Sequence, residues 1–321
     1  MRLHRLAAFV AACAMAAPTV FAQSYPSKPI KVIVPFAPGG FTDVAARILQ
    51  KELGPVIGQP VIVENKPGAG STIGTSEVSH AAPDGYTIVM VSTTHVISPH
   101  FYKQMPYDAL KDFTPVMRLA EGPYVLVEHP SLGAKNVRDL IEMSKKAPNG
   151  IYYASSGNGS SQHLVGELFV TMSGAKLNHV PYKGSNQAMA DVLGGQVPLS
   201  FVGVPNALPN LGNGKLKALA VSTKKRYSEL PDVPTLDEAG VKGYDATIWL
   251  GILAPPNTPR EVVSKLNAAI TKTLSTAEAK KLMASAGVDV ATSTPEEFAQ
   301  LMQVEYDRWG QVVKATGATV N

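Results

Sequence analysis

Short apolar runs alternate with amphipathic segments along the 321-residue chain, and this alternation predicts a succession of strands and helices. Runs rich in Val and Ile are typical of buried strands, whereas apolar residues three or four positions apart are typical of one helix face. Because strands and helices take turns, the pattern favours an α/β fold in which helices cover both faces of a parallel sheet. The predicted strands include 30–34, 61–65, 86–91, 151–154, 179–182 and 199–204.

Two longer apolar stretches divide this succession. One runs from Val116 to Val127 and the other from Thr247 to Ala254. A new series of strands and helices begins after the first stretch, and a mostly helical segment follows the second. We therefore expect two α/β lobes joined by two crossing segments, with a ligand cleft between the carboxyl ends of two separate sheets. Residues 23–121 and 250–321 are predicted to form the first lobe, and residues 122–249 the second.

The segment 35–47, which follows the first predicted strand, combines a Gly pair with the start of a helix. Gly39 and Gly40 let the backbone approach a ligand, and the free N–H groups of the first helical turn favour negative charge. Asp43 either caps this helix or accepts hydrogen bonds that orient the loop, and it is spaced to pair with Arg47. The local pattern alone is equally typical of an ordinary βα turn. Because the phosphate motifs GxxxxGK[ST] and GxGxxG do not occur, the sequence favours a carboxylate as the anion.

The segment 155–161 repeats this pattern in the second predicted lobe. It consists of Ser, Gly and Asn residues, follows a strand, and precedes a helix through Leu164, Leu168 and Met172. Its hydroxyl groups and the helix N-terminus predict a second anion-binding loop. No Arg or Lys lies within residues 36–43 or 155–162, so we expect backbone amides and hydroxyl groups to bind the carboxylate.

The first 22 residues have the composition of a signal peptide. Arg2 and Arg5 form a basic start, a short apolar run follows, and Ala22 precedes the expected cleavage site before Gln23. The sequence therefore predicts an exported, periplasmic protein. One alternative remains open, because the residues before Cys13 resemble a lipoprotein box that would leave a lipid anchor on this cysteine.

Cysteine content and net charge exclude several classes of function. Cys13 is the only cysteine, so a chain cleaved before Gln23 has no disulfide, zinc–cysteine site or thiol nucleophile. The formal charge of +4 includes Arg2 and Arg5, which leaves +2 on the processed chain. A charge this close to zero does not favour nucleic acid as a partner. We expect a monomer that needs no metal and no cofactor.

The chain carries a series of short motifs: Pro35-Phe36 with Gly39-Gly40, Asn65-Lys66-Pro67-Gly68, Pro83-Asp84-Gly85-Tyr86, Gly159-Ser160-Ser161 with His163, Val180-Pro181-Tyr182-Lys183-Gly184, and Pro234-Thr235 with Trp249. They extend from about Tyr25 to the C-terminus, and in this order they resemble the Bug family, the TctC-type periplasmic solute-binding proteins of tripartite tricarboxylate transporters. The resemblance implies a type II periplasmic-binding-protein fold, a cleft that closes, and carboxylate ligands held by backbone amides and ordered water. It also implies membrane permease subunits as partners.

The same resemblance places ligand-binding residues in five parts of the chain. Family members often carry an acid after the Phe of the strand near Phe201, whereas this chain has Val202-Gly203 there, which disfavours an amino acid as ligand. The expected ligand-binding residues are Phe36, Ala37, Gly39, Gly40, Phe41, Thr42 and Asp43 in the first loop, Ser92, Thr93 and His95 after the third strand, Ser155, Ser156, Asn158, Ser160, Ser161 and Gln162 in the second loop, and Tyr182 and Val202.

Three questions remain open at this stage. Phe41 either lines the cleft, which would favour an acid with a flat or apolar body, or packs in the core of the first lobe. His163 either contacts the ligand or is a helix histidine with a backbone partner. The protein delivers its ligand to a permease or presents its liganded form to a membrane sensor kinase. A third alternative, a secreted hydrolase that uses Ser160 and His163, lacks an evident orienting acid.

Overall fold

The structure, a computed structural model, describes residues 25–316. The predicted signal peptide and Cys13 lie outside the described residues. Strands and helices alternate through the first two thirds of this range, as the hydrophobic pattern predicts. The strands are β1 (Ile30–Val34), β2 (Val61–Asn65), β3 (Thr87–Ser92), β4 (Thr114–Glu128), β5 (Ile151–Ser155), β6 (Leu177–Pro181), β7 (Leu199–Gly203), β8 (Lys217–Val221), β9 (Thr247–Ala254) and β10 (Asp289–Val290).

Several helices begin within a few residues of a strand end, which brings their N-termini to the carboxyl edge of the sheet. Two short 3₁₀ turns, Ala69–Ser71 and Ser98–His100, accompany them. The helices are α1 (Phe41–Ile57), α2 (Thr72–Ser79), α3 (Thr94–Ile97), α4 (Val137–Lys146), α5 (Ser161–Ser173), α6 (Ser185–Leu193), α7 (Val204–Leu211), α8 (Arg260–Leu274), α9 (Ala277–Ser285) and α10 (Pro295–Thr316).

The sheet is mixed, so the prediction of a parallel sheet is wrong. The strand order is β2-β1-β3-β9-β4-β7-β5-β6, with β8 and β10 also paired to β4. Strands β1 to β3 pair in parallel, as do β5 to β7, but β9 is antiparallel to β3 and β4 is antiparallel to each of its partners. The parallel units arise from βα connections, whereas the two long strands must run against them to carry the chain between the lobes.

Strand β4 joins the two lobes into one continuous hydrogen-bonded sheet. Its residues Thr114–Pro123 pair with β9, and from Tyr124 to Glu128 they pair with β7 and β8. Fifteen extended residues span about 50 Å, which is enough to cross both lobes. The two-lobed α/β fold is thus confirmed, but the two separate sheets expected from the sequence are not observed.

The hydrophobic core consists of two lobe-specific clusters and one that both lobes share. The first lobe buries Ile30, Leu49 and Leu266 between β1 and its covering helices, and the second lobe buries Val192 and Val202 on one face of its sheet. The shared cluster contains residues from both lobes, including Phe101, Phe201, Phe298 and Trp309. Helix α10 contacts β4, α3 and α5, so it packs against both lobes. No helix within residues 25–316 has the length and apolar character that a membrane span requires.

Candidate functional site

A cleft of about 620 Å³ lies between the lobes. Loops that follow strands β1, β2 and β3 line it from the first lobe, and loops that follow β5, β6 and β7 line it from the second. The crossing strands contribute Tyr124 from β4 and Ile248 from β9. Residues of the first loop that line the cleft are Phe36, Ala37, Gly40, Phe41 and Thr42, and those of the second loop are Ser156, Asn158, Ser160, Ser161 and Gln162; Ser92 and Tyr182 also line it.

Helix N-termini dominate the electrostatics of the cleft. Helices α1, α5, α6 and α7 each begin at or next to lining residues, and no side chain caps the first turn of α1 or α6. The unpaired N–H groups and the helix dipoles therefore place partial positive charge at the cleft. Among the lining residues that the structure describes, Lys183 alone carries a formal charge at pH 7. The absence of a carboxylate from that lining suits an anionic ligand.

Asp43 holds the first loop in place from behind. One carboxylate oxygen accepts hydrogen bonds from the Gly39 backbone N–H at 2.8 Å and from Arg47 Nε at 2.9 Å. The other accepts from Asn65 Nδ2 at 2.8 Å, and the same amide donates to the Phe36 carbonyl. Gly39 has φ of 79°, a left-handed conformation that favours glycine. The loop shape therefore depends on one buried carboxylate that does not line the cleft.

Asp43 remains ionised in this setting. Burial would raise the pKa of the Asp43 carboxyl, but the hydrogen bonds from Arg47, the Gly39 N–H and Asn65 together hold it below its usual value. Arg47 is half exposed, so the ion pair neutralises Asp43 without bringing a fixed positive side chain into the cleft. The expectation that Asp43 acts as an acceptor that orients the loop agrees with these contacts.

The second loop is held by side chains that lie beneath it. Gln162 accepts from the Ser156 N–H at 2.9 Å and donates to the Phe201 carbonyl at 2.9 Å. Ser155 Oγ accepts from the Gly157 N–H. Ser160 is the N-cap of α5, because its hydroxyl accepts from the His163 N–H at 3.2 Å. The N–H groups of Ser161 and Gln162 belong to the first helical turn and have no intrahelical partner.

His163, which is buried, and His179, which is partly buried, form a stacked pair behind this loop. Their ring centroids are 3.8 Å apart. His163 Nδ1 accepts from the Gly159 N–H at 3.2 Å, and His179 Nε2 lies 2.5 Å from Ser155 Oγ. His163 is therefore a buried histidine with a backbone partner and does not line the cleft. The same geometry excludes an acyl-transfer pair, since the Ser160 hydroxyl bonds the His163 backbone and not its ring.

The histidine pair makes the stability of the protein pH-dependent. Burial lowers the pKa of His163 to about 4, and burial together with repulsion from His163 lowers that of His179 to about 3. The unfolded chain protonates both near pH 6.5, so their contribution to stability is complete above that pH and is lost as the pH falls towards 4. As the pH falls from 6.5 towards 4, we expect the free energy of unfolding to decrease by about 1.4 kcal/mol per pH unit for each histidine.

Urea denaturation at pH 7, 6 and 5 measures this slope. The substitution His163→Asn keeps an oxygen that can accept from the Gly159 N–H but removes one titrating group, so its profile should be less steep than that of the wild type. His80 is exposed, and His80→Gln should leave the slope unchanged. Equal slopes for His163→Asn and the wild type would contradict the assignment.

Several residues predicted to bind ligand do not line the cleft. His95 is buried with its Nε2 at 2.8 Å from the Ala109 carbonyl, and its ring packs on Tyr107 and Phe113. Burial lowers the pKa of His95 to about 4. Successive residues of a helical turn point about 100° apart, so His95 faces the core when its neighbour Thr94 faces the cleft.

Four further predicted residues lie behind the lining, in addition to Asp43. Gly39 and Ser155 support the two loops as described above, and the hydroxyl of Thr93, which follows β3, accepts from the Trp249 N–H of β9 at 3.0 Å. Val202 is buried in the core of the second lobe, because alternate residues of a strand face opposite sides of the sheet. Gly203, the next residue, lines the cleft instead.

Phe41 both lines the cleft and packs against the core. It is partly buried, contacts two core clusters, and lies beside Gly203 of the opposite lobe, where an added Cβ would be 3.7 Å from the Phe41 ring. Phe36 also lines the cleft and packs on the first lobe. The two interpretations of Phe41 are thus compatible, since one face of a ring can contact the core while its edge borders the ligand space.

Sequence reasoning missed a group of residues that the tertiary structure brings to the cleft. Tyr124 and Ile248 come from the crossing strands, whose apolar pattern carries no signal of a site. The segments 182–187 and 203–206 precede or begin helices in the same way as the two recognised loops, so the strand–helix junction was an available signal. The missed lining residues are Pro67, Gly68, Ala69, Gly70, Ser71, Tyr102, Tyr124, Lys183, Gly184, Ser185, Asn186, Gln187, Gly203, Pro205, Asn206 and Ile248.

Two α/β lobes around a cleft of helix N-termini define a ligand-binding protein of the periplasmic-binding-protein class. The model of the TctC family, the tripartite tricarboxylate transporter family receptor, matches residues 45–318. Protein BugT of Bordetella pertussis is 37% identical over 99% of each chain. This chain belongs to the TctC family of Bug-type solute-binding proteins.

Solved structures agree with this assignment. R. palustris Rpa4515 with adipate has a TM-score of 0.88 and 34% identity, and the match covers 92% of this chain and 100% of that one. MatC from Rhodopseudomonas palustris with bound malate has a TM-score of 0.83 and 33% identity, covering 90% of this chain and 100% of that one. The predicted periplasmic-binding-protein fold is confirmed.

Proposed function

We propose that this protein captures a small organic carboxylate in the cleft and delivers it to the membrane subunits of a tripartite tricarboxylate-type transporter. The observation that carries the proposal is the lining itself, in which several helix N-termini meet and the described residues contribute no acid. The adipate and malate complexes of the two relatives support a carboxylate as the ligand class. The family supports the periplasm as the location and permease subunits as partners.

The proposed binding mode follows from the two loops that Asp43 and Gln162 hold in place. The first-turn N–H groups of α1 and α5 would donate to the carboxylate oxygens, and the Ser161 hydroxyl would add a side-chain donor. Phe36 and Phe41 would border the carbon skeleton, which favours a flat or apolar body, as in an aromatic acid or a medium-length dicarboxylate, over a hydroxyl-rich acid. We propose that the protein is a monomer with two lobes that close on the ligand. One lobe is residues 23–121 with 250–321, and the other is residues 122–249.

Thermal-shift and calorimetric titrations with adipate, malate and benzoate test the proposal, with adipamide as the neutral control. A ligand at about 100 times its Kd should stabilise the protein by about 2.7 kcal/mol. Adipamide should give no shift, because amide groups present N–H donors to a site built from donors. Binding of adipamide as strong as that of the acids, or binding of no acid at all, would contradict the proposed function. Mass spectrometry of compounds released from the purified protein would then identify the acid.

A further inference from the structure

Three hydroxyl groups from different parts of the fold meet at one point of the cleft. Thr94 Oγ1 at the start of α3 donates to Ser161 Oγ, the first residue of α5, at 3.3 Å. The Tyr124 hydroxyl lies 2.5 Å from the same Ser161 oxygen. All three residues line the cleft, and their relative exposures are 2%, 8% and 6% for Thr94, Ser161 and Tyr124. Together they form a hydroxyl cluster that joins the two lobes.

The three residues belong to three distinct structural units. Thr94 follows β3 in the first lobe, and Ser161 begins the helix after the second loop. Tyr124 lies on β4 at the position where the pairing partner changes from β9 to β7 and β8. The cluster can therefore form only when the two lobes and the crossing strand hold this relative arrangement.

The count of protons in the cluster leaves one donor unused. Three hydroxyl groups supply three protons, and the two bonds within the cluster use two of them. If Tyr124 donates to Ser161, the Ser161 proton is left over; if Ser161 donates to Tyr124, the phenol proton is left over. In either case the free O–H lies on a cleft-lining residue, so the cluster presents a net hydrogen-bond donor.

A bound anion selects between these two arrangements. A carboxylate beside Ser161 accepts from the Ser161 O–H and from the neighbouring first-turn N–H groups, which requires Tyr124 to donate to Ser161. Such a chain strengthens each of its hydrogen bonds, because every donor is polarised by the bond that it accepts. Burial raises the pKa of Tyr124, so the phenol keeps the proton that this arrangement requires.

We propose that Tyr124 and Thr94 are positioning residues for ligand recognition. They fix the Ser161 oxygen by donating to it, so that its O–H points to a ligand carboxylate, and they link this donor to the closed arrangement of the lobes. The inference rests on the proposed function, because it assigns a role within the same carboxylate site. It adds two residues that lie outside the two loops: Thr94 of the first lobe and Tyr124 of the crossing strand β4.

A double-mutant cycle tests the proposal, with calorimetric Kd values for whichever of adipate, malate and benzoate the wild type binds most tightly. We expect Ser161→Ala to weaken binding by at least about tenfold, the scale of one hydrogen bond to a charged group, and Tyr124→Phe or Thr94→Val to weaken it about three- to tenfold, the scale of one neutral hydrogen bond. The decisive value is the double variant Tyr124→Phe with Ser161→Ala. It should bind no more weakly than Ser161→Ala alone, because Tyr124 acts only through Ser161.

Tyr227→Phe is the matched control. Tyr227 is buried in the second lobe, its hydroxyl has no hydrogen-bond partner among the described residues, and it does not line the cleft; this variant should keep the wild-type Kd. Fully multiplicative losses in the double variant would show that Tyr124 has only a structural role and would overturn the inference, as would wild-type affinity in both Tyr124→Phe and Thr94→Val. Failure of the wild type to bind any of the three acids would overturn the proposed function instead.

Discussion

Replacing Asp43 with Asn is expected to weaken carboxylate binding about 100-fold, although the change removes a negative charge close to an anion site. The carboxylate accepts three hydrogen bonds that shape the first loop. Asn has only one acceptor oxygen, so its amide group must face either the Asn65 amide or both Arg47 and the Gly39 N–H, which bond the same carboxylate oxygen. At least one hydrogen bond is lost and the others no longer have a charged acceptor. Because hydrogen bonds to a charged group contribute about 1.5–3 kcal/mol each, the loop would relax from its binding shape.

The opposite outcome follows from simple charge repulsion, which makes the experiment discriminating. If Asp43 acted mainly through its charge, Asp43→Asn would bind the anion more tightly. Glu52→Gln removes the same charge from the same helix without touching the loop, since Glu52 pairs with Lys51, and it should leave Kd within about twofold. Calorimetry on both variants, with urea denaturation to verify folding, measures the difference. Unchanged or tighter binding by Asp43→Asn would contradict the structural role of its carboxylate.

The substitution Gly287→Ala is expected to hold the lobes apart and to weaken binding at least tenfold. Gly287 lies in the turn between α9 and β10 of the first lobe, and its carbonyl packs against Gly122 of β4. A Cβ at Gly287 would lie 2.5 Å from Pro205 Cδ and 2.6 Å from Val204 Cβ at the start of α7. These are separations that real Cβ atoms do not adopt, so the second lobe must move. Because Gly203 and Pro205 line the cleft, this displacement widens the site.

Gly133→Ala separates the effect of this clash from that of backbone conformation. Gly133 has φ of 73°, close to the 76° of Gly287, but nothing lies within 4 Å of an added Cβ. Both variants should lose about 1 kcal/mol of stability from the left-handed conformation, but only Gly287→Ala should lose affinity. Small-angle scattering with saturating ligand should give a larger radius of gyration for Gly287→Ala than for Gly133→Ala. Equal Kd values for the two variants would show that this contact does not limit closure.

The hydrophobic pattern was sufficient to predict most of the elements and the two recognised loops. The bounds of 30–34, 61–65 and 247–254 agree with the structure, because the period of apolar residues reflects burial directly. Helix α7 was missed: the apolar run 199–204 was predicted as a strand through Val204, whereas the strand ends at Gly203 and Pro205 lies in the first turn of a helix. Proline is compatible with the first turn of a helix, so it does not by itself mark a loop.

The sequence by itself determined the α/β class and the two glycine-containing loops that precede helix N-termini. These depend on neighbours along the chain, where spacing fixes geometry. Only the tertiary structure decided the direction of β9 in the sheet, the burial of His95 and the meeting of Thr94, Tyr124 and Ser161. These three hydroxyls are up to 67 positions apart, and which of them face one another depends on the strand order and on the relative placement of the lobes. Local propensity carries no information about either, because both are set by the packing of the whole chain.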